Sequence, residues 1–144
     1  MPSLSEYPAV GRVLEIHDDA VIFSPVNTNY ELKLLTSGRY DGIVGRRVEC
    51  LVRATARKVM TVPSGGNFIA PIFGPPRIVQ GRIRYLDEKL MVIQAGCPVV
   101  VELPATDAGF DLASGPLAIN ALANVMAMPG ARFEMIGNTM EAAR

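Results

Sequence analysis

The chain has 144 residues, enough for one ordinary domain or two very small ones set close together. Fourteen basic and fourteen acidic side chains leave no net charge, which removes the large basic excess expected of a general nucleic-acid or membrane-surface binder. A hydrophobic fraction of 49% against 19% charged residues argues against disorder, and part of that surplus is expected to be buried between two halves or between chains.

An internal repeat organises the reading. A shift of about 70 residues superposes Gly11-Arg12-Val13 on Gly81-Arg82-Ile83, Asp18 on Glu88, and Val21-Ile22-Phe23 on Met91-Val92-Ile93. The same shift pairs Thr36 with Thr106, Tyr40-Asp41 with Phe110-Asp111, and Gly45 with Gly115. Beyond Gly115, Phe68 and Phe133 are taken as equivalents, which gives the first copy five extra residues.

In chain order, the first copy predicts strands at about 10–17 and 20–24, joined by the acidic turn Asp18-Asp19. A third strand, 29–35, alternates Tyr30, Leu32 and Leu34 against Glu31 and Lys33. The fourth, about 46–61, is expected to turn Val48, Cys50, Val52, Ala54 and Ala56 inward and Arg47, Glu49, Arg53, Thr55 and Arg57 outward. Pro63-Ser64-Gly65-Gly66-Asn67 supplies turn residues before a fifth strand at 68–73, and Gly74-Pro75-Pro76 links the copies stiffly. The second copy predicts strands at about 79–86, 89–95, 97–103, 117–127 and 132–136. Within it, 115–127 is ambiguous, because Ser114 and Pro116 could also open a helix; the repeat favours strand.

The expected class is therefore all-β, with a first unit at 1–75 and a second at 76–144. Five strands of these lengths, with a glycine-led first strand and a long fourth, resemble the OB-fold, a partly open Greek-key barrel, in both copies (about 9–73 and 79–137). That resemblance implies two tandem five-stranded OB-like barrels and, by analogy of fold, binding of single-stranded nucleic acid. The segment Thr36–Val44 leaves room for at most one turn of the usual OB helix, so SH3-like and other small barrels stay open.

Chemistry-bearing residues are sparse. His17 is alone, and Cys50 and Cys97 lack zinc spacing and a basic neighbour, so neither a catalytic site, nor a metal site, nor a cofactor is expected. The glycine stretch at 63–67 lacks the Lys-Ser/Thr ending of a phosphate loop, and the acidic pairs Asp18-Asp19 and Asp87-Glu88 read as solvated turns. Arg53 and Arg57 have the RxxxR spacing of PilZ domains, but the downstream Asp/Asn-x-Ser-x-x-Gly is missing.

Two features remain. Arg47, Arg53 and Arg57, with Lys58, form a candidate phosphate track, with Tyr30 and Tyr40 as candidate base platforms. In the second copy the matching positions are Leu117, Ala123 and Ala127. Leu117, Ile119 and Val125 are therefore expected on an apolar face that a second copy of the chain would cover. The expected role is a non-catalytic binding or assembly module forming a homo-oligomer, with single-stranded nucleic-acid binding as the alternative. The start, Met1-Pro2-Ser3-Leu4-Ser5-Glu6, does not resemble a signal peptide, and no apolar run is long enough for a span, so a cytoplasmic location without a membrane partner is expected.

Overall fold

A computed structural model describes residues 4–136. Residues 1–3 and 137–144, which fall within the expected units 1–75 and 76–144, lie outside the described residues. The described chain is all-β, a single mixed sheet of twelve strands, with 3-10 turns at Leu4–Glu6 and Asp107–Gly109. The strands are β1 (Ala9–Ile16), β2 (Ala20–Pro25), β3 (Glu31–Leu35), β4 (Arg47–Thr61), β5 (Phe68–Ala70) and β6 (Phe73–Gly74). They continue as β7 (Ile78–Leu86), β8 (Leu90–Gln94), β9 (Pro98–Glu102), β10 (Phe110–Asp111), β11 (Leu122–Ala127) and β12 (Arg132–Met135).

The pairings run in two closed circuits that share one strand. In the first, β1 pairs β2, β2 pairs β3, β3 meets β12 in parallel at Leu35 and Arg132, β12 pairs β4, and β4 returns to β1. In the second, β7 pairs β8, β8 pairs β9, β9 pairs β4 in parallel, β4 pairs β11, and β11 returns to β7. Only the fifteen residues of β4 belong to both. Each circuit thus takes one strand from the other half of the chain: β12 closes the first, and the second part of β4 closes the second.

The expected fifth strand at 68–73 is split. Phe68–Ala70 pairs β7, while Phe73–Gly74 lies against β3, so this strap connects the circuits rather than completing one. Residues 117–121, expected as strand or helix, form neither, and β11 begins only at Leu122.

Local chemistry explains why the opening hairpins look alike. Val13 faces Phe23 as Ile83 faces Ile93, and each first strand carries an irregularity one residue later, at Leu14 and at Arg84. A side chain at Gly11 would strike the Ser24 carbonyl, and one at Gly81 the Gln94 carbonyl; in both hairpins the partner strand comes too close for a Cβ. In the second hairpin the Asp87 carboxylate accepts the backbone N–H groups of Lys89 and Leu90, which hold it below its ordinary pKa and fix the turn.

Further along, the spacing changes. Val21 faces Leu34 but Met91 faces Val101, so the third strands lie 67 residues apart, three fewer than the hairpins. Two later contacts define another spacing. The Gly45 N–H donates to the Val13 carbonyl and the Arg12 guanidinium to the Gly45 carbonyl; Asn120 stands in the same relation to Ile83 and Arg82. Gly45 and Asn120 both have left-handed φ, 85° and 74°. Gly45 and Asn120, 75 residues apart, thus make matching contacts, which Gly115 does not. Between the third strand and this contact the second half is longer by eight residues, 75 less 67.

One continuous core serves both circuits. Val13, Phe23, Leu32 and Leu34 pack in the same cluster as Val79, Ile83, Met91 and Ile93, with Cys50, Val52, Ala54, Ala56 and Val59 of β4 between them. Small side chains at Ala54 and Ala56 suit a strand that must pass between two layers of larger ones. Replacing Gly11 or Gly81 by Ala should destabilise the protein by roughly 1–3 kcal/mol, because the backbone carbonyl opposite has to move. Urea denaturation measures this; a midpoint unchanged in both variants would show that the close approach is not needed.

Candidate functional site

β4 does not present its arginines as one face. Arg47 is exposed at its start, and Arg57 is exposed at a break in register where Met126 faces Lys58 but Ala127 faces Ala56. That break reverses the alternation, so Val59 rather than Lys58 enters the core and Lys58 is left half-buried. Arg53, expected to point outward, has a side chain only 16% exposed. Its side of the sheet is covered by neighbours from both circuits. The Arg53 guanidinium pairs with Glu102 of β9 at 3.4 Å and Glu134 of β12 at 3.5 Å. Glu102 also takes Arg132 at 3.2 Å and the Thr55 hydroxyl at 3.2 Å. The Arg47–Arg53–Arg57 track is therefore interrupted at its centre by a structural ion-pair network, and its ends stand about 33 Å apart at roughly 3.3 Å per residue.

The free positive charges gather differently. Arg12 and Arg47 face each other directly across β1 and β4, and Arg46 precedes them. All three are exposed, and none forms an ion pair among the described residues. Like charges directly opposite one another destabilise a sheet unless an anion lies between them. The signal for this group was present in the sequence, since Arg12 belongs to the repeated Gly-Arg motif, but the pairing of β1 with β4 is non-local.

The candidate base platforms are used internally. The Tyr30 hydroxyl accepts the Ile69 N–H at 3.2 Å, and Tyr40 packs edge-on against Phe133 with ring centroids 5.3 Å apart. Burial first, then the Asp41 charge, raises the Tyr40 pKa. Both cysteines are buried free thiols; burial raises Cys50, with the Cys97 thiol adding to it, and pushes Cys97 up to about 12. Such thiols are suppressed as nucleophiles at neutral pH. His17 is exposed and bonded to Glu15 at 3.0 Å. Among the described residues no cluster of His, Cys, Asp and Glu is placed to hold a metal ion, and no helix is long and apolar enough to cross a membrane.

The apolar residues of the second half also part company. Val125 is fully buried, facing Val79 and Val59, and Ala123 is buried opposite Gly81. Their expected outward placement followed from an offset of 70, whereas the pairing uses 75, and an odd difference turns every side chain to the other face. Leu117 is half-buried against the core, while Ile119 is 53% exposed. Both lie in the loop 112–121, which also exposes Leu112. Thr61 holds this loop, donating its hydroxyl to the Gly115 carbonyl and accepting the Ser114 N–H.

Comparison with family models, curated proteins and solved structures gives no match for this chain.

The ion-pair network has a pH signature. Desolvation tends to raise Glu102, but the Thr55 hydroxyl and the Arg132 and Arg53 guanidiniums outweigh it and hold the carboxyl below its ordinary value. A carboxylate lowered on folding contributes stability at neutral pH, and the contribution is lost as pH falls through the folded value. In Glu102→Gln this part of the acid sensitivity should vanish. Urea midpoints of parent and variant compared between pH 7 and pH 3 test it; equal losses on acidification would disconnect Glu102 from stability.

Proposed function

We propose that this chain is a non-catalytic binding and assembly module that self-associates through the second half. Its two strand circuits act in this reading as two OB-like barrels, related by an ancestral repeat and closed by β12 in the first and by the later part of β4 in the second. The matching strand orders, the paired irregularities at Leu14 and Arg84, and the two Arg-to-carbonyl contacts support that view.

The observation that carries self-association is the loop 112–121. It lies in the stretch over which the second half exceeds the first, it is held in place by Thr61, and it displays Leu112 and Ile119 with Leu117 behind them. A loop already ordered loses little conformational entropy on docking. Covering side chains about half exposed contributes roughly 1 kcal/mol each, so the association is weak unless neighbouring surface joins it. Sedimentation equilibrium across micromolar to millimolar concentration should show a concentration-dependent increase in mass. Ile119→Asp should abolish that increase while leaving the fold intact. A monomer throughout the range for the parent protein would remove the reading.

A second reading, single-stranded nucleic-acid binding, is favoured by one observation, the unpaired group Arg12, Arg46 and Arg47. Arg53 has no part in it. Three phosphate contacts would give a slope of about −2 in log affinity against log salt. Changing the three arginines to Ser should flatten the salt dependence of oligonucleotide binding. Absence of binding by the parent at low salt would make these arginines a solubilising face.

A further inference from the structure

We infer that a notch between Arg57 and Arg77 is a binding site for a small phosphate monoester with an apolar body. The notch has a volume of about 620 Å³, within the usual size range of small-ligand sites. Its floor is the antiparallel contact of β11 with β7, where Met126 faces Ile78. Prolines of the inter-half strap and of the last hairpin wall it, Pro71 and Pro129 among them. Such walls carry no backbone donor and stay rigid without side-chain ordering.

Charge decides what this apolar notch would take. Arg57 and Arg77 both line it, both are exposed, and neither makes an ion pair among the described residues; no carboxylate lines the notch. The two arginines come from different parts of the chain, Arg57 from β4 and Arg77 from the residue before β7. Arg57 sits at the register break of β4 with its Nη2 3.9 Å from the Met126 sulfur. The backbone of Arg77 is fixed on both sides, its N–H donating to the Ala70 carbonyl and its carbonyl accepting the Ala127 N–H. Two guanidiniums without a counter-charge suit a dianion, and guanidinium matches the oxygens of a phosphate through paired hydrogen bonds. The prolines, Met126 and Ile78 then offer van der Waals contact to an apolar group esterified to that phosphate.

The probe is 1-naphthyl phosphate, titrated calorimetrically into the intact protein at low salt, beside inorganic phosphate and 1-naphthol. Saturable binding with a dissociation constant below about 1 mM is expected. Inorganic phosphate and 1-naphthol should each bind at least about tenfold more weakly, since each supplies half of the recognition. Arg57→Gln and Arg77→Gln should each weaken the naphthyl phosphate about tenfold, and Lys89→Gln, in the exposed turn at the far end of β7, should leave it unchanged. Circular dichroism and thermal melting confirm that the exposed substitutions leave the fold intact. Failure of the parent to bind, equal binding of inorganic phosphate, or binding untouched by both notch variants would each overturn the assignment.

Discussion

Every other feature depends on β4 being hydrogen-bonded along both edges. Its first part pairs β1 and β12, its middle pairs β12 and β9, and its last part pairs β11 and β10. A strand bonded on both sides leaves no free edge for aggregation and no surface along which the halves could separate. Opening either circuit would strip partners from backbone groups that the core covers. The halves therefore share one sheet, and the continuous cluster from Phe23 through Ala54 to Met91 is its packing counterpart.

Much of this was legible locally. Gly11 and Gly81, the acidic turns and the alternation of Leu32 and Leu34 all mark features that each hairpin forms by itself. What failed were inferences that carried one offset past the hairpins. The spacing drops by three at β3 and β9, and by Asn120 it stands five above the 70 of the hairpins. Being odd, that difference of five moved Val125 from an assumed surface to the core. The exchange of β12 was beyond sequence reading for a different reason. Nothing in Arg132–Met135 distinguishes a strand that pairs the adjacent β11 from one that crosses back to residues 50–53.

The site residues divide along the same line. Alternation correctly put Arg53 on the face opposite Val52 and Ala54, but alternation states only the side and not what covers it. Glu102 and Glu134 arrive from strands some 50 and 80 positions away, which no local pattern reports. Likewise the zero net charge conceals an uneven distribution, because most arginines outside this network, such as Arg12, Arg46, Arg47, Arg57 and Arg77, have no acidic partner among the described residues.

The network around Arg53 matters more for register than for net stability. Partly buried ion pairs gain little over desolvation, and the Arg53 Nε remains buried without a hydrogen-bond partner. Yet Arg53 faces Arg132 on one side and Val100 on the other, so two guanidiniums meet where three strands join. Only in the observed register do Glu102 and Glu134 both reach that point and offset the repulsion. A slip of β12 by one residue would turn Phe133 outward and Arg132 toward the core, and a slip of β9 would remove Glu102 from all three of its partners. The charges thus penalise the wrong pairings at the one place where a strand of one half is exchanged into the circuit of the other.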